Sequence, residues 1–206
     1  YFMHLTLKTE VPVVFVGALR PATALMPDGD LNLVNGIRVA ASPTSLGMGV
    51  LTCLNDEINS ARDVTKTITY RVQTFQSRDL GFLGYADADG KVVYYRRPLR
   101  RHTINSEFDL MGIQDLPRVD IIMAYGGADG SLVKAAVEGG AKGIVMAGVG
   151  AGAPTTAMKM ALDRALQQGI PVVESSRVGS GRVLPTPKRK RQGFIAADTL
   201  SPQTAR

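Results

Sequence analysis

Cysteine, histidine and tryptophan are nearly absent from this sequence. Its 206 residues contain one cysteine, Cys53, two histidines, His4 and His102, and no tryptophan. A single cysteine excludes an internal disulfide and a cysteine-based metal cluster. Two histidines leave few ligands for a histidine metal site or a Ser-His-Asp triad. We therefore assign His4 and His102 to structure, and Cys53 to the core as a small buried residue.

Long hydrophobic runs are absent as well. No apolar stretch reaches the roughly 18 residues that a membrane-spanning helix requires, so we expect no membrane partner. No basic segment followed by an apolar run lies near Tyr1, so no signal peptide is visible. With 45% hydrophobic residues, the chain has enough apolar material to bury a core, which excludes a wholly disordered protein.

Positive charge is in excess. The formal net charge is +6, and basic residues concentrate at residues 96–101 and 188–191. This pattern raises a nucleic-acid hypothesis. A solvated loop is the favoured interpretation of residues 188–191, because no aromatic platform for stacking bases lies nearby. We therefore rank nucleic acid last among the partners considered.

Short apolar runs alternate with helical patterns, which is typical of α/β proteins. In the first half, apolar and β-branched runs predict strands, and residues recurring at helical spacing predict a helix with Asp30 as its N-cap. A threonine-rich extended stretch follows, and then a hairpin that turns at Asp89-Gly90. The predicted elements are strands at 12–17 and 49–54, a helix at 31–41, the extended stretch at 64–75 and the hairpin at 81–95.

The second half repeats the alternation more regularly. Strands are predicted at 119–125, 143–147 and 171–174, separated by helices at 131–138 and 154–168. A β-α-β-α-β succession favours parallel strands joined by right-handed crossovers.

We therefore predict an α/β fold of two three-layer α/β/α units with mainly parallel sheets. The first unit, residues 1–96, is expected to be incomplete in this chain and to carry the hairpin. Periodicity disappears at residues 97–117, which we interpret as an interdomain linker. Residues 118–206 form the smaller second unit.

Glycines cluster at residues 148–152, between a predicted strand and a predicted helix. The spacing is G-x-G-x-G, whereas a dinucleotide fingerprint requires G-x-G-x-x-G. Two interpretations stay open: a backbone loop that holds an anion, and a purely conformational turn.

Lys66 lies in the densest polar run beyond a predicted strand, where ligands of open α/β sheets bind. Flanked by Thr65 and Thr67, it is either a lysine that stabilises developing negative charge or a solvated loop lysine. Composition alone favours the solvated lysine.

Seven segments, in this order and spacing, resemble the bacterial-type (type II) L-asparaginase family across essentially the whole chain. They are PVVFVGALRP (12–21), DGDLNL (28–33), LNDEI (54–58), ARDVTKT (61–67), AGVG (147–150), SSRVG (175–179) and GFIAA (193–197).

The resemblance implies an amidohydrolase that converts L-asparagine and water to L-aspartate and ammonia, with glutamine as a side substrate. It implies a threonine nucleophile, an acyl-enzyme and no cofactor or metal. It also implies a larger and a smaller α/β domain, a homotetramer with sites completed at subunit interfaces, and a periplasmic location, with cytoplasmic as the alternative.

Carried over by position, the resemblance places a catalytic lysine at Lys66. It places substrate-binding positions at Ala18, through its backbone, and at Ala153, in a loop that a neighbouring subunit presents. The nucleophile threonines and the last helix of the family are expected outside residues 1–206.

Two departures from the family pattern keep a second hypothesis open. Ala153 stands where the family commonly has Asn or Ser, and no acidic residue lies between Gly181 and Gly193, where the family has a substrate-contacting glutamate. A non-catalytic homologue that binds an amino acid or acts as a scaffold is therefore the alternative.

Overall fold

The structure is a computed structural model that describes all 206 residues. The chain divides into two compact units, Tyr1–Met111 and Gly112–Arg206. No helix is long and apolar enough to cross a membrane.

The first unit contains two α-helices and seven strands. In chain order they are α1 (Phe2–Thr6), β1 (Val13–Phe15), α2 (Gly29–Ala41), β2 (Val50–Leu54), β3 (Glu57–Ser60), β4 (Thr65–Lys66), β5 (Phe75–Gln76), β6 (Gly84–Ala86) and β7 (Val92–Tyr94). Five strands form one sheet in the order β1-β2-β3-β6-β7, and β4 pairs with β5 in a separate two-stranded sheet.

This sheet is mixed. β1 and β2 are parallel, whereas β2-β3, β3-β6 and β6-β7 are antiparallel. Only one of the four strand pairs in this sheet is therefore parallel. Strand β3 runs antiparallel to β2 because the chain reverses directly at Asn55 and Asp56. Both residues have positive φ, 52° and 63°, which is the conformation of a tight hairpin turn.

Helix α2 packs on β1 and β2. Gly36 makes this close approach feasible, since a Cβ there would lie 2.3 Å from Cγ1 of Val16. The core beneath the helix includes Val39, Leu51 and Cys53. Cys53 is buried as predicted, and burial raises the pKa of its thiol to about 11.

The second unit contains three α-helices and four strands. They are β8 (Val119–Met123), α3 (Ser131–Glu138), β9 (Gly143–Gly148), α4 (Thr156–Gln167), β10 (Val172–Ser176), α5 (Pro187–Arg191) and β11 (Ile195–Ala196). The sheet order is β11-β10-β9-β8, and every pair is parallel. The predicted parallel β-α-β-α-β succession is confirmed.

Helices α3 and α4 pack against one face of this sheet. Ile122, Ile144 and Val172 point from the strands into a core that Val133 and Leu162 close from the helices. The helical spacing of the apolar residues in α3 and α4 was the signal that predicted both helices.

Candidate active site

A cavity of about 320 Å³ opens in the first unit, beyond the carboxyl ends of the parallel strands β1 and β2. Ligands of open α/β sheets bind at such strand ends. The structure brings Ala18 and Lys66, predicted from different segments, to the wall of this one cavity. The lining residues are Phe15, Val16, Gly17, Ala18, Leu19, Thr52, Leu54, Val64, Lys66 and Phe75.

Lys66 is the one charged residue of this lining. It lies in β4, where its backbone pairs with Phe75, and it forms no ion pair. The neighbouring Arg62, by contrast, pairs with Asp63 at 2.5 Å. The ammonium of Lys66 is therefore free to interact with a negatively charged group that enters the cavity.

The short β4-β5 ladder is fixed by threonines. Thr67 donates its N–H and its hydroxyl to the carbonyl oxygen of Thr74, at 2.7 and 2.9 Å. Thr74 is buried, and its hydroxyl bonds to the backbone of Ile68. These bonds engage the Thr67 hydroxyl, so Thr67 supports the strand that carries Lys66.

The loop that carries Ala18 is held by the start of α2. The carboxylate of Asp28 accepts the N–H of Leu19 at 3.0 Å and the N–H of Arg20 at 2.8 Å. Asp28 is also the N-cap residue of α2, but its side chain makes no capping hydrogen bond. The predicted N-cap, Asp30, was thus two residues late, because the first apolar residue of the pattern, Leu31, is already the third residue of the helix.

Asn32 links the ends of the two parallel strands. Its Nδ2 donates to the carbonyl oxygen of Gly17 at 2.9 Å and to Asp28 at 3.1 Å, and its Oδ1 accepts the N–H of Asn55 at 2.9 Å. One turn further along, Asn35 donates to Asp56 at 2.8 Å. Both asparagines are buried, and their side chains form hydrogen bonds, as buried polar groups are expected to do.

Sequence reasoning missed this polar face of α2. The signal was available: Asp28 and Asn32 are four residues apart, on one side of a helix that directly follows a strand and its loop. Apolar periodicity conceals such positions, since it treats buried polar residues as solvent-facing. Phe75 and Thr52 were also missed as cavity residues.

Ala153 lies in the second unit, in a tight turn after β9. Val149 and Ala153 exchange two N–H···O bonds of 2.9 Å, and Gly152 donates to Val149 at 3.0 Å. A Cβ at Gly148 would lie 2.3 Å from the carbonyl carbon of Gly152. The N–H groups of Val149, Gly152 and Ala153 are thus engaged within the turn, which supports the conformational interpretation of residues 148–152. The side chain of Ala153 is exposed.

The basic residues 188–191 fall in helix α5, and one of them is structural. Arg189 forms an ion pair with the buried Glu174, and its guanidinium lies 4.3 Å from the ring centroid of Phe194. Burial raises the pKa of Glu174, and the Arg189 charge opposes that shift. In the other basic stretch, Arg96 donates to the carbonyl oxygens of Leu80 and Phe82.

No group of three or more His, Cys, Asp or Glu side chains is arranged to hold a metal ion in any part of the 206 residues. His4 and His102 instead pack against each other, with ring centroids 4.8 Å apart and ring planes tilted by 43°.

Comparison with family models identifies both units. Residues 1–100 match the model of the N-terminal asparaginase domain, and residues 118–206 match that of the glutaminase/asparaginase C-terminal domain. The chain belongs to the bacterial-type asparaginase family.

Individual relatives agree along the whole chain. It is 42% identical to "L-asparaginase 2" of Bacillus subtilis and 46% identical to "Probable L-asparaginase periplasmic" of Haemophilus influenzae. Both alignments cover 100% of this chain, which spans 54% and 59% of those two proteins. The crystal structure of a probable cytoplasmic L-asparaginase from Campylobacter jejuni superposes with a TM-score of 0.96 at 43% identity, covering 100% of this chain and 67% of that one.

Proposed function

We propose that this protein is an L-asparagine amidohydrolase, with glutamine as a secondary substrate. The observation that carries the proposal is the cavity at the ends of β1 and β2, which an unpaired lysine, Lys66, lines together with Ala18 in a chain of the asparaginase family. The relatives named above are described as an L-asparaginase and a probable L-asparaginase, and the matching C-terminal family model covers glutaminases as well.

The reaction proceeds in two steps. A threonine hydroxyl, which the family pattern places outside residues 1–206, attacks the side-chain carboxamide carbon. The C–N bond breaks, ammonia leaves with the proton of the hydroxyl, and an acyl-enzyme ester forms. Water then cleaves the ester, releases L-aspartate and restores the hydroxyl.

Lys66 stabilises charge in this scheme. The tetrahedral intermediates carry a negative oxygen, and the ammonium of Lys66, an exposed side chain at the cavity wall, supplies the opposite charge. The backbone of Ala18 binds the substrate side chain. In the homotetramer that we propose, Ala153 of a neighbouring subunit completes the substrate-binding site.

Replacing Lys66 tests the proposal. In the full-length protein, we expect Lys66→Met to lower the rate of ammonia release from L-asparagine at least about a hundredfold, because the intermediate loses its compensating charge. The matched control is Lys91→Met, since Lys91 is an exposed lysine of the same unit that pairs with Asp89 on the surface. Equal rates for Lys66→Met and wild type would remove Lys66 from the mechanism.

Ammonia release, measured together with substrate binding, distinguishes the enzyme from a non-catalytic homologue. Ala153 offers no side-chain hydrogen bond, and residues 182–192 contain no acidic group for a substrate ammonium. If the full-length wild type binds L-asparagine in a calorimetric titration but releases no ammonia, the non-catalytic amino-acid binder is the better description.

We further propose a periplasmic location, with the cytoplasm as the alternative, since the names of the relatives include both. Fractionation of cells that express the full-length protein distinguishes the two. The interdomain linker at residues 97–117 also stays a proposal.

A further inference from the structure

We propose that Asp28 and Asn32 are positioning residues, which fix the backbone of Ala18 so that its peptide groups face the substrate carboxamide. This inference rests on the proposed function. It gives Asp28 and Asn32 a role in substrate binding.

The two peptide units that flank Ala18 are both anchored. The carbonyl oxygen of Gly17, in the preceding peptide, accepts from Asn32, and the N–H of Leu19, in the following peptide, donates to Asp28. Two fixed peptide planes determine the directions of the N–H and C=O groups of Ala18.

The backbone of Ala18 is itself unengaged. Neither its N–H nor its C=O forms a hydrogen bond within the chain, although the residue lines the cavity. A carboxamide has both a donor and an acceptor, so the backbone N–H and C=O of one residue can bind it through both groups. Such binding requires the two groups to be oriented in advance, because a misplacement of about 1 Å can weaken catalysis strongly.

Asp28 is suited to this task as an anion. Burial disfavours its charged form, but the N–H groups of Arg20 and Leu19 and the amide of Asn32 outweigh that effect and lower its pKa. Hydrogen bonds to a carboxylate are stronger than those to a neutral acceptor. A helix-capping role does not account for Asp28, since its side chain accepts no backbone N–H from the first turn of α2.

Asp28→Asn is the decisive variant because it conserves shape. In either orientation of the new amide, its N–H donors face another donor, the Nδ2 of Asn32 or the N–H of Arg20, so at least one hydrogen bond that holds the Ala18 loop is lost. Asp30→Asn is the matched control, since Asp30 is an exposed carboxylate of the same helical turn with no ion pair or hydrogen bond. Asp28→Glu keeps the carboxylate.

The experiment titrates L-aspartate, the product of the proposed reaction, into the full-length wild type and the three variants by calorimetry, and measures ammonia release in parallel. The side-chain carboxylate of aspartate tests the contact with the Ala18 N–H, and the KM for asparagine tests both contacts. We expect Asp28→Asn to weaken the Kd for aspartate and raise the KM for asparagine at least about fivefold, with partial recovery in Asp28→Glu and no change in Asp30→Asn. Loss of folded protein alone would lower kcat and the number of binding sites, and would leave Kd and KM unaltered.

The outcomes separate the two proposals. An active wild type whose Kd and KM do not change in Asp28→Asn overturns the positioning role and leaves the function standing. A wild type that binds aspartate but releases no ammonia overturns the function, and the ratio of Kd values still decides the role of Asp28. A wild type that neither binds nor reacts overturns both.

Discussion

At the scale of single residues, the molecule shows how chemically similar side chains acquire different roles. Lys66 and Arg189 are both cations, yet Lys66 lines a cavity without an ion pair, whereas Arg189 neutralises the buried carboxylate of Glu174. Sequence reasoning treated residues 188–191 as one solvated basic run. The structure separates them, because one member of a short helix reaches inward while its neighbours remain exposed.

The buried ion pair of Arg189 and Glu174 predicts that substitutions at two neighbouring positions of α5 lower stability by different amounts. Arg189→Met leaves Glu174 buried without a partner, so we expect a loss of about 3 kcal/mol in the free energy of unfolding. Lys190→Met, which changes an exposed position one residue along, is expected to cost less than about 0.5 kcal/mol. Urea unfolding of the two variants measures the difference, and equal midpoints would show that the Glu174 pair does not stabilise the fold.

At the scale of secondary-structure elements, the sequence predicted those with strong apolar periodicity. Helix α4 and the three strands β8, β9 and β10 were all expected. Strand β3 was missed because Asn59 and Ser60 are buried polar residues, so its pattern resembles a loop. Helix α1 was missed because five residues are too short for a periodic signal.

The candidate site divides in the same way. The strand ends that form the cavity followed from apolar patterns, whereas the identity of Lys66 as a site residue depended on the family resemblance. Hydrophobic reasoning did not reveal Asp28 and Asn32, since their importance lies in hydrogen bonds to the backbone at the ends of β1 and β2, which an apolar pattern does not record.

Helix α1 packs against the short 3-10 helix Thr103–Asn105, which brings His4 next to His102 and predicts that stability depends on pH. Burial, together with the neighbouring His102, lowers the pKa of His4 to about 4, and burial lowers that of His102 as well. Between about pH 6.5 and 4, the unfolded chain therefore binds protons that the folded chain does not, and stability falls as the pH falls. For His4 alone we expect a loss of about 2 kcal/mol between pH 7 and pH 5.

Denaturant midpoints at pH 7 and pH 5, for the wild type and for His4→Gln, test this expectation. Other titrating groups contribute equally to the wild type and to the variant. The difference between the two proteins in how stability changes with pH is therefore the contribution of His4. Identical slopes would mean that His4 does not account for the acid sensitivity.

At the scale of the whole molecule, each site of the proposed tetramer consists of residues from two chains. A mixture of inactive variants can then regain function. If Lys66→Met and Ala153→Arg each inactivate the full-length protein, random reassembly of equal amounts gives roughly a quarter of the sites with both positions intact.

We therefore expect the mixed variants, after dissociation and reassembly, to recover about a quarter of the wild-type rate of ammonia release. The matched control mixes Lys66→Met with the double variant Lys66→Met/Ala153→Arg, in which no complete site can form. Absence of recovery, with tetramers verified by light scattering, would place Lys66 and Ala153 of each site in the same chain.

The strand pairing of the two units also has a consequence for how the polypeptide acquires its shape. The hairpin of β6 and β7 closes over a few residues, so it can form while later sequence is still being synthesised. In the second unit, by contrast, no strand meets its neighbour until the intervening segment has crossed the sheet. Every strand pair of the second sheet therefore forms only after a long loop has closed, a requirement that the β2-β3 and β6-β7 pairs of the first unit do not have.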